Sequence, residues 1–168
     1  MSAAEEITAL IPRLRRYARA LTGDRSFADD LVQDTLERAW GRLHLWRPGS
    51  DLRAWLFTIM HNLHVNQART RRSEDSIDLR NEPMEFAARP SQEERLEIRD
   101  LTMALRRLPD GQREVLLLVG LEEMSYQEAA KVLAVPLGTV MSRLSRGRER
   151  LRALMSEGSN APQLRVVK

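Results

Sequence analysis

The sequence predicts an all-α protein of two small helical domains joined by a flexible linker, the C-terminal one a helix-turn-helix. Three observations predict this. Apolar residues recur at three- and four-residue spacing along the 168-residue chain, and alternating β-branched runs are missing. Proline, glycine and capping signatures punctuate those periodic stretches at short intervals. Over residues 73–90, "SEDSIDLRNEPMEFAARP", the periodicity lapses in a segment with two prolines.

A first helix is expected over residues 3–21, ending at the break Thr22 to Asp24. A second opens at Ser26 and runs to about Leu43. Pro48 and Gly49 interrupt, and a third helix runs from Asp51 to Arg72. Helix resumes where Ser91 and Glu94 have capping-box spacing, and stops at Leu108-Pro109. A short apolar helix follows, Gly111 to Leu121, and a second capping box, Ser125 with Glu128, opens "SYQEAAKVLA". Pro136 interrupts, a last helix runs to about Met155, and the tail beyond it is expected to be mobile. The expected units are residues 1–75, a linker at 76–95, a second domain at 96–156, and a tail at 157–168.

Composition narrows the function classes. Hydrophobic residues make up 42% and charged residues 30%, which suits a soluble globular protein. No apolar run is long enough to cross a bilayer and the N-terminus lacks signal-peptide order, so the expectation is a cytoplasmic protein without membrane insertion. With no cysteine there is no disulfide or thiolate chemistry. No nucleophile–base pairing and no phosphate-cradling glycine loop stands out, so neither an enzyme nor a cofactor is expected. His61 and His64 have i, i+3 spacing, but without a third ligand in the pattern no metal site is expected. The net charge of +3 says less than its distribution. Residues 143–152 hold five arginines against Glu149, and clustered arginines displace counterions from phosphates.

"SYQEAAKVLAVPLGTVMSRLSRGRERL" has the layout of a helix-turn-helix. Ala129 and Ala130 permit close crossing, a turn spans Val135 to Gly138, and a longer basic helix follows. Val140, Leu144, Leu151 and Met155 fall along its inward side with Gly147, a site of close backbone approach. Thr139, Ser142, Arg143 and Arg146 project from the N-terminal half, where a recognition helix places base contacts. Arg148, Arg150 and Arg152 suit phosphates. The alternative is a solvated basic helix; the capped partner helix, alanine pair and proline turn favour DNA.

On the second helix Ala28, Leu31, Val32, Leu36, Ala39 and Leu43 form the buried side. Asp30, Gln33, Asp34 and Glu37 make an acidic patch opposite, with Asp29 and Trp40 at its edge. It is either a solvated face or an interface anchored by Trp40. On the third helix Leu52, Leu56, Ile59 and Leu63 point into a core. Trp55, Asn62, Asn66 and Arg69 share a neighbouring stripe able to stack on bases and bond their edges; Trp55 is equally readable as core.

Together, "FADDLVQDTLERAW" (27–40), "LRAWLFTIMHNLHVNQARTRR" (52–72) and "LPDGQREVLLLVGLEEMSYQEAAKVLAVPLGTVMSRLSRGRERL" (108–151) resemble the bacterial RNA polymerase sigma factors of the extracytoplasmic-function type. The resemblance covers about residues 5–155 in family order and spacing. It implies a promoter-specificity subunit whose first domain is sigma region 2 and whose second is region 4. Core polymerase, through the clamp helices of its largest subunit, would be bound by Asp30, Gln33 and Asp34 with Arg38 and Trp40 nearby. The −10 element would be met by Trp55, Asn62, Asn66 and Arg69, with "WRPGSDL" (46–52) helping to capture a flipped base. The −35 element would be met by Thr139, Ser142, Arg143, Arg146 and Arg148. Met141 stands where the family is often basic and Ser145 where it is often bulky and apolar. The linker, with five acidic and three basic residues over 76–95, would follow a positively lined path toward the RNA exit channel. The eight Phe, Trp and Tyr residues imply limited melting power and stringent promoter choice. Family members are commonly held inactive by an anti-sigma factor in a stress response, which implies such a partner here.

Two other readings stand beside this one. The first is a stand-alone helix-turn-helix regulator with a sensing N-terminal domain; the second is an adaptor using the acidic helix for protein binding without DNA. A repressor needs no acidic polymerase surface, and an adaptor needs no arginine-rich final helix.

Overall fold

The computed structural model describes residues 1–73 and 91–166, with side chains over 1–70 and 91–157. Most of the expected linker therefore lies outside the described residues. Every regular element among them is helical. Helix α1 (Ala3–Thr22) starts on Ser2, whose hydroxyl accepts from the Glu5 amide while the Glu5 carboxylate accepts from the Ser2 amide. It ends on Gly23 at φ +69°, a left-handed position that glycine adopts without steric cost. Helix α2 (Arg25–Gly41) is capped by Asp24, which accepts from the Phe27 amide. A 3-10 turn (Leu43–Leu45) leads through Gly49, at φ +92°, to α3 (Leu52–Ser73). Asp51 caps α3 by accepting from the Ala54 amide at 3.1 Å.

In the second half α4 (Gln92–Arg106) opens with the expected Ser91–Glu94 capping box. The short apolar helix differs from expectation. Helix α5 (Asp110–Leu116) continues as a π-helical turn, Leu117–Leu121, in which the Glu122 amide donates to the Leu117 carbonyl five residues back. The next residue, Glu123, sits at φ +56°, a conformation uncommon for a residue with a Cβ. Helix α6 (Tyr126–Leu133) has only the serine half of its box: Ser125 accepts from the Glu128 amide, while the Glu128 carboxylate goes to Arg53.

The helix-helix turn falls one residue earlier than expected. Ala134 takes the left-handed position, at φ 54°, and the Val135 amide donates to the Ala130 carbonyl. Helix α7 (Leu137–Val166) then runs well past Met155. Its backbone thus takes in most of the stretch 157–168 expected to be a mobile tail, because extending a formed helix costs far less than nucleating one.

The predicted core sides are buried. Ala28, Leu31, Val32 and Ala39 of α2 are joined by Thr35, whose hydroxyl donates to the Leu31 carbonyl at 2.7 Å and so escapes the penalty of burial. Leu36 and Leu43 are only partly buried. On α3 the core side is wider than expected, adding Phe57 and Met60 to Leu52, Leu56, Ile59 and Leu63. Phe57 meets the ring of Tyr17 edge to face at 5.0 Å. Val140 and Leu144 of α7 are buried and Leu151 packs beside them, while Met155 is only half-buried and Leu154 joins the cluster instead. The buried residues of both halves form one continuous cluster.

Gly147 is where α7 crosses α5 closely: a Cβ there would stand 3.1 Å from Leu116 Cδ1 and 3.4 Å from Gln112 Cβ. Gly147→Leu is expected to lower stability by about 1–3 kcal/mol through overpacking. Gly120→Ala, whose added Cβ meets nothing within 4 Å, is expected to raise stability by up to about 1 kcal/mol, since alanine is the better helix former. Urea unfolding followed by helical circular dichroism measures both, and equal midpoints for the two variants would show that the crossing has slack.

Candidate functional site

Helix α2 buries one side and presents the other. Asp30, Gln33, Asp34, Glu37 and Arg38 are all exposed, and Trp40 retains 48% of its surface in water at the end of this strip. Gln67 of α3 donates to the Asp34 carboxylate at 3.0 Å, which fixes one member of the strip relative to the next helix.

Helix α3 carries the neighbouring surface. Asn62, Asn66 and Arg69 are exposed, while Trp55 is half-buried and packs against the core. Trp55 therefore packs as a core residue while part of its surface stays in water. The preceding loop is folded on itself: the Arg47 carbonyl accepts from the amide and hydroxyl of Ser50. Trp46 packs partly onto the core beneath it.

On the helix-turn-helix, Ala129 is fully buried where α6 meets α7. Ser142, Arg146 and Arg148 are exposed, and Thr139 is half-buried. Arg143 is also half-buried, because its guanidinium lies over Gly111, where a Cβ would stand 3.3 Å from it. Of the five −35 candidates, Arg143 is thus the one braced against another helix. Met141 and Ser145 line a shallow groove with Arg148, Arg152 and Tyr126.

A further set of charged residues lies on the seam between the two halves, and local sequence pattern does not bring it together. Glu122 is wholly buried, with Arg16 Nη2 at 3.5 Å and Arg13 Nε at 3.9 Å. Arg53 donates to the Glu122 carbonyl at 2.9 Å and to the Glu128 carboxylate at 3.1 Å. Glu114, also buried, lies 2.7 Å from His61 Nδ1 and 3.8 Å from His64 Nε2. In the opposite direction Arg113 donates to the Leu21 carbonyl, and Arg106 packs over Gly23. The one local signal was an acid at Glu114 and another at Glu122 bracketing the apolar run "VLLLVGL".

Burial raises the Glu122 carboxyl above its usual range, against the opposing pull of Arg16 and then Arg13. Burial likewise raises the Tyr17 phenol, helped by the negative charges of Glu114 and Glu122. His61, His64 and Glu114 do come together, yet among the described residues no group of three or more side chains is arranged to hold a metal. No helix among them is long and apolar enough to cross a membrane.

Comparison with known proteins places these surfaces in a context. Residues 7–61 match the family described as the Sigma2 domain of PhyR, and residues 98–151 match Sigma-70, region 4. The ECF RNA polymerase sigma factor EcfG of Rhodopseudomonas palustris (strain TIE-1) is 41% identical over 151 residues, covering 90% of this chain and 83% of that one. The ECF RNA polymerase sigma factor SigM of Bacillus subtilis (strain 168) is 33% identical over 148 residues, covering 86% and 90%. Among solved structures, the sigma factor RpoE of Bartonella quintana, crystallised with the anti-sigma factor NepR, superposes with a TM-score of 0.78 at 36% identity, covering 91% of this chain and 96% of that one.

The raised Glu122 carboxyl has a pH signature. A group whose folded-state pKa exceeds its unfolded value contributes stability that is present below the unfolded pKa and lost as pH rises through the folded one. Relative to Glu122→Gln, the wild-type chain is therefore expected to lose stability as pH rises from the ordinary carboxylate range upward. Urea midpoints of the two proteins across that range measure it; a constant difference would mean that the Glu122 carboxyl is not raised.

Proposed function

This chain belongs to the extracytoplasmic-function RNA polymerase sigma factors, and we propose that it binds core polymerase through α2 while reading a −10 element with α3 and a −35 element with α7. We assign the first two roles to residues 1–75, the third to residues 96–156, and the linking path through polymerase to residues 76–95. The observation that carries the reading is the exposed strip Asp30, Gln33, Asp34, Arg38 and Trp40, set beside the exposed stripe Asn62, Asn66 and Arg69. A stand-alone helix-turn-helix regulator has use for neither.

The chemistry of each surface suits its assignment. Carboxylates and an amide with a tryptophan at their edge offer charge and hydrogen bonds to a basic coiled coil, with an apolar anchor. Such a coiled coil is the clamp-helix pair of the polymerase largest subunit. On α3 the amides of Asn62 and Asn66 can bond base edges, Trp55 offers a ring edge for stacking, and Arg69 can meet a phosphate. A base inside a duplex hides its Watson–Crick edge, so reading it there requires extrusion, and "WRPGSDL" supplies the adjoining wall. On α7, Thr139, Ser142 and Arg146 face bases or their phosphates in the major groove, and Arg148 a phosphate. Arg143, held on Gly111, has a fixed reach, which favours one register of contact.

The Bartonella relative crystallised with an anti-sigma factor supports a further part of the reading. We propose that this chain too is held inactive by an anti-sigma factor and released in a stress response. It acts as a specificity subunit, with catalysis left to the polymerase.

Reconstituted transcription with core polymerase and a promoter library tests the whole. Asp34→Arg is expected to weaken core binding by at least about tenfold, the scale of an interface hot spot. Asn62→Ala is expected to slow open-complex formation by about tenfold or more, while binding to −35 duplex stays within about twofold. The sigma reading fails if adding the protein gives no promoter-dependent initiation and Asp34→Arg leaves polymerase binding intact.

A further inference from the structure

The two flanks of the recognition helix differ in chemistry. At about 100° per residue, Val140, Leu144, Gly147 and Leu151 mark the side of α7 that packs inward. Thr139, Arg143, Arg146 and Arg150 lie to one side of that stripe, where Arg143 rests on Gly111 of α5. Leu137 and Met141 lie to the other side, and Met141 lines a groove there with Tyr126 and Ser145. Three of the eight large apolar side chains exposed among the described residues are Tyr126, Leu137 and Met141, and Met141 keeps 51% of its surface in water. The other exposed side chains from Ser142 to Arg152 all carry a hydroxyl or a charge.

The backbone under Met141 is firmly held. The Pro136 carbonyl accepts from the Thr139 and Val140 amides at 3.0 and 3.3 Å, and Val140 and Leu144 are buried on either side of it. Met141 therefore projects from a fixed point, while its unbranched side chain can adapt to what it meets. An apolar side chain held out among cations gains free energy when something apolar covers it.

On duplex DNA the apolar feature of the major groove is the 5-methyl group of thymine, which stands beside the O4 acceptor. Cytosine has an amino donor in place of O4 and no methyl, and guanine presents two acceptors that suit arginine. Met141 and Ser145 lie about 40° apart on the helix, so an apolar group is presented next to a hydroxyl donor. That pair matches the methyl and the O4 of one thymine. Tyr126, the first residue of α6, can bond the adjoining phosphate through its phenol. We propose that Met141, with Ser145 beside it, selects thymine at one position of the −35 element by covering its 5-methyl group. This selection rests on α7 being the reader of the −35 element, and it assigns a base preference to a residue outside the cationic flank.

Deoxyuridine differs from thymidine in the methyl group alone, which isolates the contact. Holoenzyme is reconstituted from core polymerase and the full-length chain, and bound to promoters that it selects from a library. Each thymine of the −35 element, on either strand, is then replaced in turn by deoxyuridine. At one position the replacement is expected to weaken binding about fourfold, the scale of one buried methyl. In the Met141→Ala holoenzyme the same replacement is expected to change binding by less than about 1.5-fold, since the covering side chain is gone. Met141→Leu, which keeps the apolar surface, is expected to retain most of the difference. A wild type indifferent to every replacement, or a selected −35 element without thymine, would overturn the methyl reading and leave the apolar patch to a protein partner. A penalty that persists in Met141→Ala would overturn the role of Met141. If circular dichroism shows that Met141→Ala has lost helix, Met141→Gln, similar in length but polar at its end, is judged by the same ratio. A holoenzyme that initiates at no promoter defeats the sigma-factor reading instead, so the two failures have separate signatures.

Discussion

Glu122 carries a carboxylate with 0% of its surface in water, and taking a charge out of water costs several kcal/mol unless other groups meet it. Those groups are on the far half of the chain, on α1 and α3. The net upward shift of its carboxyl says that burial outweighs the arginines, so the pair is not a simple source of stability. Such an arrangement ties Glu122 to the face of α1 that carries Arg13 and Arg16. Glu114 between His61 and His64, and Arg113 on the Leu21 carbonyl, impose the same register at two further points. The closed geometry follows from these constraints, with the apolar cluster filling in between.

Helix α3 has to satisfy three neighbours at once, and the 100° advance per residue makes this possible. Leu52, Leu56, Ile59 and Leu63 face α1 and α2. Trp55, Asn62, Asn66 and Arg69 lie about 80° to one side of that core stripe. Arg53, His61 and His64 lie on the opposite side of it, roughly 150° from the asparagines. The seam therefore covers the side of α3 away from the asparagine stripe, and Asn62, Asn66 and Arg69 remain in water while the halves are joined. Met60 fills the sector between core and seam and Phe57 lies within the seam sector, so the buried side is wider than the core stripe alone.

The helix-turn-helix shows a similar economy with small residues. Gly147 lets α7 approach Leu116 of α5, and Gly111 gives the Arg143 side chain a surface on which to lie. One half-buried arginine is thereby braced, while Arg146 and Arg148 stay exposed. Met141 and Ser145 share the groove beside Arg148.

Much of this was legible in the sequence because it depends on neighbours within a turn or two. The caps at Ser91 and Ser125 are written in three-residue spacings, and the core sides of α2 and α3 in three- and four-residue ones. The exposed acidic strip, the asparagine stripe and the basic recognition helix follow from the same periodicity. The π-helical turn, the left-handed Ala134 and Glu123, and the diversion of Glu128 from its capping box have no such local signature. They answer to contacts spanning 69 residues from Arg53 to Glu122, 75 to Glu128 and 92 from Leu21 to Arg113. The sequence by itself determined the helices, their inward sides and the charged and polar strips left exposed, since helical periodicity is a local property. The tertiary structure alone decided that the two halves meet, and along which faces, because a buried charge finds its partner by position in space and not by distance along the chain.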